Sequence, residues 1–397
     1  MGRAQRGRYE ERIWEPQPGG MGGRRNRQAF RYQAFVPRRI AGWDVTLRAD
    51  AVAAVAEASA AVAHLNDSPP KLASSEALAR QLLRAESLAS SRIEGLELSH
   101  RRLARAAHGA DRHDQKASDV VGNIAAMERA IDIGAEARPF TVTDIRDIHS
   151  TLMRFSFDRA IAGVVRTKQS WIGRNPYTPR DATFVPPPPE RVEPLLEDLC
   201  RFMSREDPPA LVQAAIAHAQ FETIHPFADG NGRVGRCLIH SILMRRGLAT
   251  HYVPPVSLIL ATRREQYVAG LVQYRDGEVD EWCELFCDAT SYAARAAERL
   301  ADEIAATQQQ WIERLGRPRK DSSAYAIVAA LPAHPVIDVP TAARLARVSD
   351  VAAGRVLNRM EQLDILQNIG ERQRGRTWEC RELFDLVSEI ERDLATP

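Results

Sequence analysis

The chain has 397 residues, enough for two or three domains. Hydrophobic residues make up 44% and charged residues 27%, the balance of a soluble globular protein with an ample core. With 54 Lys and Arg against 52 Asp and Glu the formal charge is +2, so the overall balance announces no polyanionic partner and no membrane surface. The longest apolar runs fall short of a membrane span, which excludes a transmembrane protein at this level of reading. Five cysteines (Cys200, Cys237, Cys283, Cys287 and Cys380) are scattered and odd in number. They fit a reducing, cytoplasmic setting better than a disulfide scaffold. Cys283 and Cys287 can share a helix face, but no second Cys/His pair stands nearby to complete a zinc site, so core thiols are expected.

In chain order, residues 1–28 carry seven Arg and three Glu with few aliphatics. The stretch lacks the apolar region of a secretory signal, and Arg6 stands where N-myristoylation would want Ser or Thr. A disordered basic tail is expected over 1–44. Apolar residues then recur at three- and four-residue spacing, predicting helices over 47–65, 75–94, 99–108, 115–133, 141–153, 190–204, 208–224, 232–246, 263–275 and 279–315. Pro69-Pro70, Gly95, Pro139, Gly247 and Pro254-Pro255 punctuate them. The exception is 160–189, where β-prone Val164-Val165, Trp171-Ile172-Gly173 and Pro186 to Pro189 predict a short hairpin and a polyproline entry into the next helix. After a basic, Pro-containing linker at Arg314–Lys320, short helices are predicted at 323–331 and 340–347. A third is capped by Ser349 and runs to Leu363. Ile365–Ile369, a turn at Gly370, an Arg-rich loop and Arg376–Cys380 follow, in the order of a winged helix-turn-helix. The expected fold is therefore all-α with a short β-hairpin, plus a small α+β winged-helix domain at the C-terminal end.

One string concentrates chemistry: His225-Pro-Phe-Ala-Asp-Gly-Asn-Gly-Arg-Val-Gly-Arg236. It follows a helix apolar on most faces and is itself polar until a helix resumes near Asn231. Gly230 and Gly232 leave backbone N–H groups unobstructed at a helix N-terminus, a ready anion site. Arg233 and Arg236 are three apart, so both can leave one helix face toward separate phosphates. Asp229 is an oxygen ligand suited to Mg²⁺ between phosphates. His225 titrates near neutrality and can take a proton from an attacking hydroxyl. Phe227, the one large apolar residue of the loop, is expected to anchor it.

This string resembles the signature of the Fic domain family, H-P-F-x-(D/E)-G-N-G-R-x-x-R, at every defined position. The resemblance implies an α-helical core that transfers AMP from ATP·Mg²⁺, with Mn²⁺ an alternative ion, to a Tyr, Ser or Thr hydroxyl of a target protein. It implies His225 as base and Asp229 as the Mg²⁺ ligand. Gly230, Asn231 and Gly232 then bind the α- and β-phosphates, with Arg233, Val234 and Gly235 in the same set and Arg236 on the γ-phosphate. Ala162-Gly163 to Arg166, then Ile172-Gly173 and Phe184 to Pro189, resemble the family's flap, which aligns a target segment by strand-like pairing. Tyr267 to Gly277, followed by Asp280 and Trp282, resembles the segment lining the adenine pocket, with Tyr267 and Arg275 carried over. Another nucleotide donor stays open, because the loop reads phosphates and the base pocket is less diagnostic.

A second string, Ser90-Ser-Arg-Ile-Glu94-Gly95, precedes the core. Gly95 reads as a helix C′ residue, which puts Glu94 at the helix end, where its charge opposes the macrodipole. Ser90 lies one turn earlier. The string resembles the family's inhibitory motif, (S/T)-x-x-x-E-(G/N), whose Glu pairs with the second motif Arg, here Arg236, and blocks productive seating of the γ-phosphate. The same Glu can orient water in a reverse, AMP-removing reaction. The organisation expected is a tail at 1–44, an N-terminal helical region with the inhibitory helix at 45–110, the catalytic core at 111–315 and the winged helix at 321–397.

In that last segment the recognition helix offers Arg355, Asn358 and Arg359, and the wing Arg372, Arg374 and Arg376. Residues 340–380 hold seven Arg against five acids, a thin footprint for a DNA binder. Two functions of different class follow. One is an autoinhibited AMP transferase whose winged helix recruits targets or dimerises the chain. The other is a DNA-binding transcriptional regulator whose Fic domain senses nucleotide. The presence of His225 argues for the first, since a sensor needs no base.

Overall fold

The protein is described by a computed structural model covering residues 7–16, 23–67, 75–108, 114–136, 138–369 and 376–395. In chain order these form β1 (Arg8–Trp14), β2 (Phe30–Val36), α1 (Ala49–Asp67), α2 (Ser75–Ile93), α3 (His100–Ala107), α4 (Gln115–Ala135), α5 (Val142–Leu152), α6 (Pro189–Met203), α7 (Ala210–Ile224) and α8 (Asn231–Arg245). Then come α9 (Val256–Thr262), α10 (Arg264–Arg275), α11 (Val279–Arg314), α12 (Ser323–Ala330), β3 (Val336–Asp338), α13 (Val339–Ala346), α14 (Asp350–Gln362), β4 (Gln367–Asn368), β5 (Thr377–Glu379) and α15 (Arg381–Ala395).

Every helix predicted between 47 and 315 forms, with ends within two residues of the expected ones. Helix α9 is additional. Its seven residues are a short, buried apolar run behind Pro254-Pro255, too brief for periodicity to separate helix from strand. The disordered tail expected over 1–44 gives way to structure at 8–14 and 30–36, where β1 and β2 pair antiparallel from Arg8↔Val36 to Trp14↔Phe30. The aromatic residues of the two strands supply the adhesion that net charge concealed: Tyr9 packs edge-on against Phe35, and Trp14 against Trp171. The hairpin predicted in 160–189 shrinks to one antiparallel bridge, Ile172↔Phe184. Val164-Val165 lies outside any strand, because Val164 N–H closes a turn on Ile161 and Arg166 N–H bonds the Pro226 carbonyl. No described helix is long and apolar enough to cross a membrane.

The chain divides into two compact units that cut across the expected boundaries at 110 and 315. The first comprises Met1–Ala58, Ala125–Gly247 and Arg264–Asp288. Its centre is α7, buried on nearly every face. The run Ala214-Ala215 to Ala219 lets neighbouring backbones approach, as an all-round apolar helix requires. Trp282 of α11, fully buried, donates its indole N–H to the Ala215 carbonyl at 2.8 Å. Cys283 and Cys287 are buried on α11.

The second unit comprises Ser59–Ile124, Leu248–Arg263 and Ala289–Pro397. Here α2 packs along α9, and the buried Glu86 carboxylate accepts both the N–H and the hydroxyl of Ser257. Strands β3, β5 and β4 form a small antiparallel sheet in that order. The C-terminal segment is therefore built onto the α2–α3 region: Gln81 and Arg84 donate to the Pro332 and Ala333 carbonyls. Glu391 of α15 meets Arg92 and His100, and fully buried Glu379 meets Arg101, Arg105 and Arg381. Burial alone would raise the Glu379 carboxyl, but these three guanidinium groups hold it below the usual carboxylate range. Breaking a fully buried ion pair costs about 3–5 kcal/mol. The guanidinium groups here keep access to water, so Glu379→Ala is expected to cost about 2 kcal/mol, read as a lowered denaturant midpoint.

Candidate phosphate-binding site

The site lies in the first unit, where α7 ends and α8 begins. Pro226 disfavours continued helix at the residue before it, and His225 caps α7 in the left-handed region at φ +50°. Its N–H still bonds the Phe221 carbonyl at 2.9 Å. Five residues on, Gly230 caps the start of α8 at φ +78°, with no side chain capping the helix. The first amides of α8 are thus presented at an open N-terminus, the condition for an anion site. A Cβ at Gly230 would stand 3.0 Å from Leu152 Cδ2, so only glycine fits both the conformation and the space.

Between these caps the loop is braced from within. Asn231 Oδ1 accepts from the Phe227 N–H at 2.8 Å and its Nδ2 donates to the Phe227 carbonyl at 2.9 Å. Asn231, expected on the phosphates, therefore spends its side chain shaping the loop and offers its backbone N–H. Phe227 is fully buried. Asp229 projects a largely exposed carboxylate with Arg233 Nη2 3.3 Å from Oδ2. Arg233 and Arg236 are both buried, Arg236 with 1% of its surface exposed. Val234 is buried in α8 and its N–H bonds the Gly230 carbonyl, and Gly232 and Gly235 lie in the same helix.

Two residues outside the signature hold it in place. The buried guanidinium of Arg166 donates from Nε to the His225 carbonyl (2.8 Å) and from Nη2 to the Pro187 carbonyl (2.6 Å) and the Ile224 carbonyl (3.3 Å). It ties the α7 terminus to the polyproline run. His149 of α5 stacks on Phe227 with ring centroids 3.7 Å apart and planes 4° from parallel. Its Nδ1 accepts from the Gly163 N–H at 2.9 Å, so Nε2 carries the proton and donates to the Asp229 carbonyl at 3.1 Å. Burial pushes this imidazole down to about 4, and the same cause takes His218 to about 3.

Both imidazoles are neutral in the folded chain and gain protons only on unfolding. Stability is therefore expected to fall as pH drops from about 6.5 to about 4, with nothing lost above 6.5. His149 alone accounts for about 3 kcal/mol of that loss. Denaturant midpoints measured from pH 7 to pH 4 check it; a flat profile would mean the folded chain tolerates a charged ring.

Other predicted residues fall elsewhere. Ile172 is exposed and Gly173 follows it beside the bridge to Phe184. Tyr267 is 3% exposed and shares a 2.9 Å hydrogen bond with His218, which puts it in the core instead of on an open pocket wall. Arg275 lies over the Phe184 ring, 4.1 Å from its centroid, and with Arg38, Trp43, Gln220 and Tyr274 lines a small cavity of the same unit. In the second unit Gly95 takes φ +83°, Leu96 N–H bonds the Ser91 carbonyl and Gly95 N–H the Arg92 carbonyl. This is the Schellman ending that makes Glu94 the C-cap, exposed, with Ser90 buried. Arg355, Asn358 and Arg359 are exposed on α14, and Arg376 donates to Asn358 Oδ1. Arg372 and Arg374 lie outside the described residues.

The site is thus a helix start opened by a left-handed glycine, five residues after the left-handed His225 that ends the preceding helix. The Fic/DOC family profile matches residues 139–243, and the family's N-terminal profile matches 52–132. Over these two stretches the chain resembles the Fic/DOC family. It is 33% identical over 159 residues to protein adenylyltransferase fic-1 of Caenorhabditis elegans, covering 38% of this chain and 28% of that one. It is 36% identical over 99 residues to a probable protein adenylyltransferase of Aquifex aeolicus, 25% of this chain and 28% of that one. The match thus spans under a third of these relatives' own length. A Fic family protein from Desulfovibrio desulfuricans shares the fold with TM-score 0.53 at 22% identity, over 85% of this chain and 97% of that one. Fic-1 of C. elegans does so with TM-score 0.51 at 22% identity, over 62% and 71%.

Proposed function

We propose that the protein is an autoinhibited protein adenylyltransferase. The observation that carries this is the 225–236 loop, in which a left-handed histidine ends α7 and a left-handed Gly230 opens α8, with Asp229 between them paired to Arg233. The names of the relatives point the same way.

In this reading the amides at Gly230–Gly232 hold the α- and β-phosphates and Arg236 the γ-phosphate. A target hydroxyl oxygen attacks the α-phosphorus, the bond from that phosphorus to the bridging oxygen breaks, and pyrophosphate leaves. His225 takes the hydroxyl proton as the new O–P bond forms. Asp229 fits Mg²⁺ as the single carboxylate of a site completed by nucleotide oxygens, and the ion would neutralise phosphate charge. The described residues hold no group of three His, Cys, Asp or Glu able to bind a metal unaided, which suits an ion that arrives with its nucleotide. Glu94 is the inhibitory carboxylate, competing with the γ-phosphate for Arg236. The test is incubation with labelled ATP and Mg²⁺, comparing the native chain with Glu94→Gly and His225→Ala.

A second reading is favoured by the exposed row Arg355, Asn358 and Arg359. The order α12, β3, α13, α14, β4, β5 resembles a winged helix, and α14 would be its recognition helix. That reading requires a salt-sensitive mobility shift with duplex DNA, lost when Arg355 and Arg359 are replaced together.

A further inference from the structure

We infer that His149 is a positioning residue for the transfer reaction, a bracket that holds the phosphate loop and the start of the flap in one register. The inference rests on the adenylyltransferase reading for the meaning of those two segments, but not for the bracket itself.

The geometry gives the imidazole three commitments and no spare valence. Its Nε2–H fixes the Asp229 carbonyl, and so the peptide that joins the carboxylate-bearing residue to Gly230. Its Nδ1 fixes the Gly163 N–H at the second residue of the flap string, where the chain turns at φ +70°. Its face lies flat on Phe227. A Cβ on Gly230 would approach its Cδ2 and Nε2 at 3.5 Å, so the ring is also the wall against which the helix start is seated. Neither nitrogen is available to a substrate, which separates this role from that of His225. A charged ring would have two N–H groups and would lose the Gly163 bond, and burial keeps the ring neutral. Displacing a reacting group by about 1 Å can cost on the order of 10²-fold in rate, so a brace on the Asp229 carbonyl has a measurable effect.

The two bonds can be cut separately. Glutamine places an amide donor near the position of Nε2 and keeps the Asp229 bond while giving up Gly163. Asparagine places an oxygen near Nδ1 and keeps the Gly163 bond while giving up Asp229. In the Glu94→Gly background of the 397-residue chain, His149→Asn is expected to raise the ATP KM, and the calorimetric Kd for Mg²⁺ and ATP, about tenfold, the equivalent of one lost hydrogen bond. His149→Gln is expected to leave both within about threefold and lower kcat for a target. Hydrogen exchange gives the same division without turnover: faster at 162–166 in the Gln variant, faster at 229–232 in the Asn variant. The bracket is overturned if the two variants alter both segments alike, or if both lower Tm while KM and kcat stay unchanged, since the ring would then be packing only. If the Glu94→Gly parent transfers no label, the adenylyltransferase reading fails, and the binding and exchange arms still decide the bracket.

Discussion

Replacing His225 by Ala is expected to lower AMP transfer by a factor on the order of 10²–10⁴ while leaving the Kd for ATP within about threefold. The residue stands at the turn between α7 and the loop, its carbonyl held by Arg166 and its N–H by Phe221. These backbone bonds survive the substitution, so the change removes the imidazole alone. Its proposed work is proton removal as the O–P bond forms, an interaction made in the transition state and not in the bound ground state. One complication has a control. Position 225 is left-handed, and Ala tolerates that region less well than His or Asn. His225→Asn keeps the backbone preference, removes the base and should be as inactive as the Ala variant. Transfer of label and calorimetric binding, measured on the same preparations, separate the two effects. An undiminished rate in either variant would take His225 out of the mechanism.

The site was legible to the extent that its chemistry is local. The residues 225–236 are consecutive, and glycine placement alone predicted where the helix starts and which amides it opens. Likewise Gly95 in the left-handed region and Glu94 at the cap followed from a single glycine at the end of a periodic run. His149 and Arg166 were missed as site residues because their roles are made by contacts 80 and 59 residues away in the chain, respectively. In sequence His149 is one histidine on a face otherwise occupied by Ile145, Ile148 and Leu152, the pattern of an ordinary core position. The available signal was that very isolation: a titratable ring on an apolar face must find hydrogen-bond partners or pay in stability. The N-terminal strands were missed for a different reason. Arg-rich composition suggested disorder, yet Phe30–Val36 alternates in exposure over its first four residues and buries its last three, Ala34 to Val36. Composition averages over a segment, whereas a strand needs only one adhesive face. The unit boundaries were also out of reach, since they depend on α15 and β5 returning to α3 through Glu391 and Glu379.

Glu94→Gly is expected to raise transfer about 10–100-fold at ATP concentrations below saturation. The range follows from the strength of one charge-assisted hydrogen-bonding pair, about 1.5–3 kcal/mol, which the γ-phosphate no longer has to displace from Arg236 in the proposed reading. The position makes the experiment clean. Glu94 is exposed and caps α2, where a carboxylate opposes the helix macrodipole, so it does not stabilise the helix it terminates. The Schellman bonds are backbone bonds to Ser91 and Arg92 and remain in the variant. Loss of a pair to Arg236 lowers Tm as well, so transfer is compared at a temperature where both proteins are fully folded, and a gain there cannot be assigned to loosening of the fold. Competition has a further signature: the gain should shrink as ATP is raised, because nucleotide itself displaces the carboxylate. A gain that is constant across ATP concentrations would point to a change in kcat by some other route. No gain at any concentration, with His225 intact, would sink the inhibitory reading of Ser90–Gly95 and leave the catalytic loop as an uninhibited transferase.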